Sequence, residues 1–272
     1  MINFNLYTKT YGNGVKEVYL PLFPVSYQSP SPPIQLHAFP VTAEQLQEAE
    51  DRRRDKNLRD TLNRARKMIY AVAVCNDWDY FVTFTLAKNR YDLEYAYSEV
   101  RYRLKYLKFL YPRFNYCIVA EKHKDGAYHF HGLISGLSEK ELGPPVRTQQ
   151  GIVYDLKRFR TLGYSQVKPI YDSKDKSRVG AYLTKYITKE IVQVANNKAS
   201  YIVSRGLRRP ERHRYQIRGD EVEHFRRLMY LHKAQVFETP FGTSFLFDDL
   251  DLSDKEMFDS MFVLCSFFDD DY

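Results

Sequence analysis

Two histidines separated by one residue mark the segment of this chain with the clearest chemical potential. The stretch "AYHFHGLIS" (127–135) is rich in residues typical of a β-strand and contains His129 and His131. Because side chains alternate between the faces of a strand, both imidazoles are expected on one face and Phe130 on the other. Two neighbouring imidazoles are ligands that suit a divalent metal ion.

The preceding segment adds a carboxylate whose position depends on the length of a turn. The sequence "KDG" (124–126) between two strand-like stretches predicts a hairpin. A two-residue Asp-Gly turn would place Lys122 opposite His129. A three-residue loop with a left-handed Gly126 would instead place Glu121 opposite His129. Gly126 stands where the three-residue loop needs a glycine.

On that second register, one carboxylate and two imidazoles share a face. The set Glu121, His129 and His131 suits Mg²⁺, Mn²⁺ or Zn²⁺, with coordination positions left for a substrate. His123 lies on the same face nearer the turn and is the reserve ligand.

A pair of tyrosines four residues apart adds a candidate nucleophile. The segment "DKSRVGAYLTKYITKEIVQVANN" (175–197) predicts one helix, on which Tyr182 and Tyr186 lie one turn apart. Lys185 and Lys189 repeat the same spacing. A tyrosine hydroxyl can attack a phosphodiester when the phosphate is polarised and its charge is neutralised.

The charge of the chain is unevenly distributed and favours a nucleic-acid partner. The net charge is +7, but residues 236–272 hold ten of the 34 acidic residues and one of the 41 basic ones. Residues 1–235 therefore carry 40 bases against 24 acids, a net charge of +16. A body this basic that also contains many tyrosines is typical of proteins that bind nucleic acid.

Other features of the chain exclude several classes. Three scattered cysteines predict neither a disulfide framework nor a zinc knuckle. There is no apolar run long enough to span a membrane and no signal-peptide pattern, so we expect no membrane association and a cytoplasmic location. The pattern G-x-x-x-x-G-K-[ST] is absent, which argues against a P-loop ATPase.

The predicted elements must bring these side chains together. Strands are predicted over 79–87 and 163–171 and for the hairpin, and helices over 42–74, 91–112 and 175–197. Residues 1–40 are expected to be irregular. The order favours an α+β fold: an antiparallel sheet with helices on one face, arranged as a ferredoxin-like split βαβ unit.

Three stretches in this order, "FVTFTL", "HFHGL" and "YLTKYITK", resemble the three motifs of HUH-family rolling-circle replication initiators. The double-tyrosine form is similar to the initiators of small single-stranded DNA bacteriophages and related plasmids. The segment "SRGLRRP" (204–210) also resembles a stretch that follows the tyrosine helix in microvirus-like replication proteins. The resemblance covers about residues 60–210.

The resemblance implies a five-stranded antiparallel sheet, of the ferredoxin/RRM-like HUH endonuclease type, with the histidines on a central strand. It implies a nick in single-stranded or extruded origin DNA that depends on Mg²⁺ or Mn²⁺. The tyrosine would stay linked to the 5′ phosphate, and the 3′ hydroxyl would prime synthesis. Host helicase and polymerase partners in a bacterial cytoplasm would follow.

Site residues follow from the matching motifs. His129, His131 and Glu121 become metal ligands, and Tyr182 and Tyr186 become nucleophiles assisted by Lys185 and Lys189. Both Tyr182 and Tyr186 fit the Y-x-x-K pattern of single-tyrosine relatives, so one or both could act, with Tyr186 preferred if only one does. The expected DNA contacts are Thr83, Thr85, Lys122, Arg205 and Arg208.

Three regions and two rival functions complete the prediction. Residues 1–60 form an N-terminal extension, 61–235 the endonuclease domain with a basic C-terminal part, and 236–272 an acidic, Phe-rich tail. The first rival is an HUH transposase or relaxase. The second is a non-catalytic sheet that stacks single-stranded bases on aromatic side chains, Phe81, Phe84, Tyr128 and Phe130.

Overall fold

The chain forms two compact units. The computed structural model describes residues 2–12, 16–23, 25–27, 42–149, 151–171, 175–188, 191–192, 201–216, 218–231, 234–239 and 242–247. One unit comprises Pro40–Arg208, and the other combines Met1–Phe39 with Arg209–Tyr272. This division differs from the predicted boundaries after residues 60 and 235, because strands from both ends of the chain share one sheet.

The described residues form α-helices and a larger number of β-strands. The helices are α1 (Ala43–Cys75), α2 (Leu93–Leu110), α3 (Asp175–Lys185) and α4 (Gly219–Leu231). The strands are β1 (Ile2–Phe4), β2 (Leu6–Thr10), β3 (Lys16–Pro21), β4 (Val25–Tyr27), β5 (Tyr80–Leu86), β6 (Asn115–Lys122), β7 (Tyr128–Ser135), β8 (Val146–Thr148), β9 (Gly151–Val153), β10 (Gly163–Pro169), β11 (Tyr201–Val203), β12 (Glu211–Tyr215), β13 (Gln235–Thr239) and β14 (Gly242–Phe247). None of the helices in this part of the chain is long and apolar enough to cross a membrane.

Five antiparallel strands form the sheet of the unit Pro40–Arg208, in the order β10-β5-β7-β6-β11. Although α2 connects β5 to β6, the two strands lie apart with β7 between them. This split arrangement is consistent with an RRM-like fold, and the predicted antiparallel α+β architecture is confirmed. The histidine-bearing strand β7 is central, as expected.

Helices cover both faces of this sheet, so the prediction of helices on one face was wrong. On one face, Leu104 of α2 packs in a buried cluster with Phe130. On the other face, Ile69 of α1 and Leu183 of α3 pack with Leu133. Helical spacing identifies the apolar stripe of a helix, but it does not say which face of a sheet receives that stripe.

Helix α1 begins where its sequence predicts a capping box. The Thr42 hydroxyl accepts a hydrogen bond from the Gln45 backbone N–H (3.2 Å), and the Gln45 side-chain oxygen accepts one from the Thr42 N–H (3.0 Å). The buried residues of α1 begin only at Leu62. The N-terminal half of this helix is therefore polar and exposed, and the C-terminal half packs on the sheet.

A second five-stranded antiparallel sheet, in the order β12-β2-β3-β14-β13, forms the core of the other unit. Phe225 and Met229 of α4 pack with Leu6, Val18 and Phe245 of this sheet. The prediction that residues 1–40 are irregular was wrong for the four strands between Ile2 and Tyr27. Buried and half-buried residues alternate in β2 and β3, and each of these two strands also pairs with a strand about 200 residues away in sequence, β12 or β14.

Candidate active site

The hairpin between β6 and β7 has the three-residue loop that aligns the carboxylate with the histidines. Gly126 adopts a left-handed conformation (φ +87°), and its N–H donates to the His123 carbonyl (2.9 Å). The His123 N–H donates to the Ala127 carbonyl (2.8 Å). Glu121 consequently pairs with His129 across the strands, which confirms the predicted register.

Two threonines of β5 hold the histidine rings from the neighbouring strand. Thr83 pairs with His131 and Thr85 pairs with His129 in the sheet. The Thr83 Oγ1 lies 3.1 Å from His131 Nδ1, and the Thr85 Oγ1 lies 3.3 Å from His129 Nδ1. Hydroxyl partners at Nδ1 fix the orientation of each ring and direct Nε2 away from β5.

Glu121 completes the polar cluster through a direct hydrogen bond. The Glu121 Oε2 lies 2.7 Å from His131 Nε2, and the His131 side chain is buried. Burial lowers the pKa of His131 below its usual value, against the opposing effect of the Glu121 carboxylate. Burial also lowers the pKa of His129. Both imidazoles are therefore neutral near pH 7, which is the form that binds metal ions.

The chemical types of these candidate ligands suit a divalent cation. Within the described residues, no three or more His, Cys, Asp and Glu side chains converge as a metal-binding group. The Glu121 carboxylate contacts His131 directly. The site still offers two neutral imidazoles, each held at Nδ1, and one carboxylate. Divalent metal ions of borderline or hard Lewis acidity bind ligands of these types. The reserve ligand His123 stacks on His129 with ring centroids 5.0 Å apart and lies near Asp125.

Helix α3 ends just before the second tyrosine, so the predicted continuous helix over 175–197 was wrong. The Tyr186 N–H donates to the Leu183 carbonyl (3.2 Å), which is a tighter turn than an α-helix makes. The Ile187 carbonyl accepts a hydrogen bond from the Arg66 side chain of α1 (3.1 Å). This long-range contact occupies a carbonyl that a continuing helix would have bonded to a later N–H.

The end of α3 brings both tyrosines onto the histidine face. The Tyr186 ring stacks on the His131 ring, with centroids 4.0 Å apart and an interplanar angle of 16°. Tyr182 meets Tyr186 edge-on at 5.1 Å and packs against Phe81 at 5.6 Å. Tyr182 is 44% exposed, whereas Tyr186 is half-buried. The two hydroxyl-bearing rings thus occupy different environments in one site.

The environment of Tyr186 keeps its hydroxyl protonated at neutral pH. Burial, a hydrogen bond with Tyr182 and the negative charge of Glu121 raise the pKa of Tyr186 well above its usual value. Lys185 Nζ lies 5.6 Å from the centroid of the Tyr182 ring. Positive charge is thus close to Tyr182, and Tyr186 would need added positive charge to react as a nucleophile.

The cations predicted to contact DNA are not all at this site. Lys122 pairs with Tyr128, whose side chain lies in the core on the opposite face of the sheet, so Lys122 does not share the histidine face. Arg205 is exposed in a turn before Gly206 (φ +82°). Arg208 forms an ion pair with Asp77 (2.9 Å). Lys189 lies outside the described residues.

Two site-supporting residues, Arg66 and Asn76, were not identified from the sequence, and Phe81 was identified only as a possible base-stacking residue. Phe81 shares the face of Thr83 and Thr85, a position that period-two spacing could have revealed. Arg66 bonds the Ile187 carbonyl, and Asn76 bonds both backbone polar groups of Arg208. No local pattern identifies the last two, since their partners are more than 100 residues away.

Burial excludes three of the four aromatic residues of the base-stacking rival. Phe84, Tyr128 and Phe130 are between 0% and 5% exposed and belong to the core beneath α2. Phe81 is half-buried between His131 and Tyr182. This sheet therefore does not present the aromatic platform that a base-stacking module requires.

Residues 79–191 match a family of replication-associated proteins, the one described as "Replication-associated protein ORF2". The match covers less than half of the chain, and it includes every side chain of the cluster from Phe81 to Tyr186. It supports a replication-initiator family for this segment. Searches of curated proteins and of solved structures found no significant match.

Proposed function

We propose that this chain initiates rolling-circle DNA replication by nicking and rejoining single-stranded origin DNA as an HUH endonuclease. The observation that carries the proposal is the stacking of Tyr186 on His131, at 4.0 Å, within the segment that matches the replication-associated family. A buried imidazole bonded to a carboxylate and covered by a tyrosine ring is the constellation expected for phosphodiester transfer to a tyrosine.

Each side chain has a separate task in this mechanism. Thr83 and Thr85 hold the Nδ1 atoms of the histidines and so orient the rings. Held there by His129, His131 and Glu121, Mg²⁺ or Mn²⁺ would polarise the scissile phosphate and offset its charge.

The tyrosine supplies the covalent chemistry. Its hydroxyl oxygen forms a bond to phosphorus and gives up its proton, while the bond to the 3′ oxygen breaks and that oxygen takes up a proton. The products are a 5′-phosphotyrosine and a 3′ hydroxyl. Rejoining reverses the step and needs no ATP, because the phosphotyrosine bond retains the energy of the phosphodiester.

The two tyrosines are not equivalent candidates. Tyr186 touches His131, whereas Tyr182 is more exposed and lies near Lys185. We assign the first nick to Tyr186 and a second transfer to Tyr182. The exposed position of Tyr182 leaves it able to receive a DNA strand while Tyr186 is occupied.

A covalent-adduct assay tests the proposal. Single-stranded oligonucleotides that tile the replicon encoding this chain are incubated with protein and Mn²⁺, and the products are separated on a denaturing gel. We expect one oligonucleotide to give a protein–DNA adduct and a shortened fragment, both abolished by EDTA or by the combined changes Tyr182→Phe and Tyr186→Phe. Tyr102→Phe, on the exposed surface of α2, is the matched control. No adduct with any oligonucleotide would contradict the proposal.

The position of the cleaved site separates the related enzymes. A cut at the replication origin supports the initiator, cuts at the ends of a mobile element would indicate a transposase, and a cut at a transfer origin would indicate a relaxase. The proposed initiator would act in a bacterial cytoplasm with a host polymerase. It would also use a host helicase, because these 272 residues contain no P-loop motif.

A further inference from the structure

The second sheet has one buried face and one face of mixed aromatic and basic composition. Leu6, Val18, Leu20 and Phe245 of the buried face are at most 1% exposed and pack with α4. The residues between them point the other way, and those that the structure describes are half-buried or exposed. We call this other side of β12, β2, β3, β14 and β13 the outer face.

Two cross-strand rows define the outer face. Strand pairing places one residue of each strand side by side in each row. The first row is Arg214, Tyr7, Tyr19, Ser244 and Phe237. The second row is Arg212, Lys9, Glu17, Leu246 and Gln235.

The first row places three aromatic rings across the sheet with a cation at one end. Tyr7 and Tyr19 are adjacent and half-buried, Ser244 lies between Tyr19 and Phe237, and Phe237 on the edge strand β13 is 52% exposed. Aromatic rings aligned across a sheet, with at least one of them exposed, are suited to stacking bases, because every base has a π-face. An isolated exposed phenylalanine has no such implication, but the alignment of three rings in one cross-strand row does.

The positive charge lies on the opposite edge. Arg212 and Arg214 are both exposed on the edge strand β12, and Lys9 lies over the Tyr7 ring at 5.5 Å. Glu17 is bound by Lys9 (2.7 Å) and by the Tyr11 hydroxyl (2.9 Å), so its negative charge is locally offset. The outer face therefore combines aromatic rings with net positive charge, as single-stranded DNA requires.

We propose that the outer face of the second sheet is a binding surface for single-stranded DNA, with bases on the row Tyr7–Tyr19–Phe237 and phosphates on Arg212 and Arg214. The surface lies outside residues 79–191, which match the replication-associated family, and contains none of the residues assigned to nicking. It would hold a DNA strand without regard to its sequence, since stacking and phosphate contacts carry no base code.

The test is the affinity of the full-length chain for fluorescent oligo(dT), measured by anisotropy over a series of salt concentrations. Phe237→Leu keeps apolar volume but removes the ring, and should weaken binding about tenfold, within the range for loss of one stacked base. Arg212→Gln with Arg214→Gln should make the slope of log affinity against log salt shallower by about 1.4, because each phosphate contact on a single strand contributes about 0.7. Phe237→Tyr should restore binding.

Matched controls lie on α2 of the other unit. Phe109→Leu removes a ring that is more exposed than Phe237 (79% against 52%), and the double change Arg101→Gln with Lys105→Gln removes equal charge; both should leave affinity within twofold. Outer-face variants that bind oligo(dT) as tightly as the wild type, with an unchanged salt slope, would overturn the proposal. So would variants that keep DNA affinity but change the sedimentation coefficient, which would indicate a protein-binding face.

The experiment is independent of nicking, because oligo(dT) binding needs no cleavage. Loss of affinity in outer-face variants would support this surface even if no adduct forms with any origin DNA. Conversely, adduct formation with unaltered oligo(dT) binding would leave the proposed function standing and reject the surface.

Discussion

Replacing Asn76 by alanine should destabilise the unit Pro40–Arg208 by removing three hydrogen bonds at once. Asn76 follows the last residue of α1 and is 7% exposed. Its Nδ2 group donates to the Val72 carbonyl (2.8 Å) and the Arg208 carbonyl (3.0 Å). Its Oδ1 atom accepts from the Arg208 backbone N–H (2.9 Å). The side chain therefore ties the end of α1 to the segment 204–210.

The expected loss of stability is about 2–3 kcal/mol, since each hydrogen bond contributes roughly 1 kcal/mol net and water can reach part of the Arg208 backbone after the change. The ion pair between Arg208 and Asp77 also joins the two segments, and its side chains are 59% and 74% exposed. An exposed pair of this kind contributes about 0–1 kcal/mol and cannot replace the amide.

Urea unfolding followed by tryptophan fluorescence measures the effect directly. Trp78 is the single tryptophan of the chain, is 5% exposed and donates from Nε1 to the Ala73 carbonyl (2.9 Å). Asn63→Ala, at an exposed position of α1, is the control and should change the free energy of unfolding by less than about 0.5 kcal/mol. A change below about 0.5 kcal/mol for Asn76→Ala would refute the argument that this amide joins α1 to the segment 204–210.

Three further predictions concern the sheet of the unit Pro40–Arg208. His129→Ala or His131→Ala should abolish cleavage while leaving most DNA binding, because phosphate contacts do not need the metal site. Glu121→Ala should weaken metal affinity more mildly. Full cleavage of origin DNA by either histidine variant in Mg²⁺ would contradict the assignment of the histidines as metal ligands. Tyr186→Phe and Tyr182→Phe should each retain part of the strand-transfer reaction, and the double variant should retain none. The intensity of the protein–DNA adduct bands measures this activity. One inactive and one fully active single variant would indicate a one-tyrosine enzyme. Gly132→Ala should lower the free energy of unfolding in urea by about 3 kcal/mol, because a Cβ atom there would lie 2.3 Å from Ile118 Cδ1 and 2.5 Å from the Cys117 carbonyl oxygen. Gly219→Ala is the control: a Cβ atom at Gly219 meets open space, so this change should be tolerated.

The parts of the site that could be predicted from the sequence are those determined by neighbouring residues. The position of Gly126 after Asp125 favours a three-residue loop, and that loop alone decides that Glu121 faces the histidines and Lys122 does not. The capping box of α1 is similarly local, since Thr42 and Gln45 satisfy each other. Predictions of this kind need no knowledge of the rest of the fold.

The parts that could not be predicted depend on contacts between distant segments. The Y-x-x-x-Y spacing predicts two tyrosines one helical turn apart, but the bond from Arg66 to the Ile187 carbonyl accompanies the end of the helix at Lys185. The tight turn that follows leaves Tyr186 stacked on His131. Likewise, β2 pairs with β12, and nothing within either short strand identifies its partner.

The second sheet determines where the chain should be truncated to test the role of the acidic C-terminal segment. One hypothesis from the sequence is that the acidic tail over 236–272 competes with DNA for the basic residues 1–235, and a truncation after Ala234 would test it. That truncation would remove β13 and β14, including the buried Phe245, so any change in binding could reflect loss of the sheet.

A truncation after Phe247 keeps both strands and removes only residues 248–272, which lie outside the described residues. The removed segment carries nine acidic residues and one lysine, so competition with DNA predicts tighter binding of unrelated single-stranded DNA, most clearly at low salt where charges are least screened. Equal affinity of the truncated and full-length chains at low ionic strength, with equal thermal stability, would show that these acids do not compete for the DNA-binding surface.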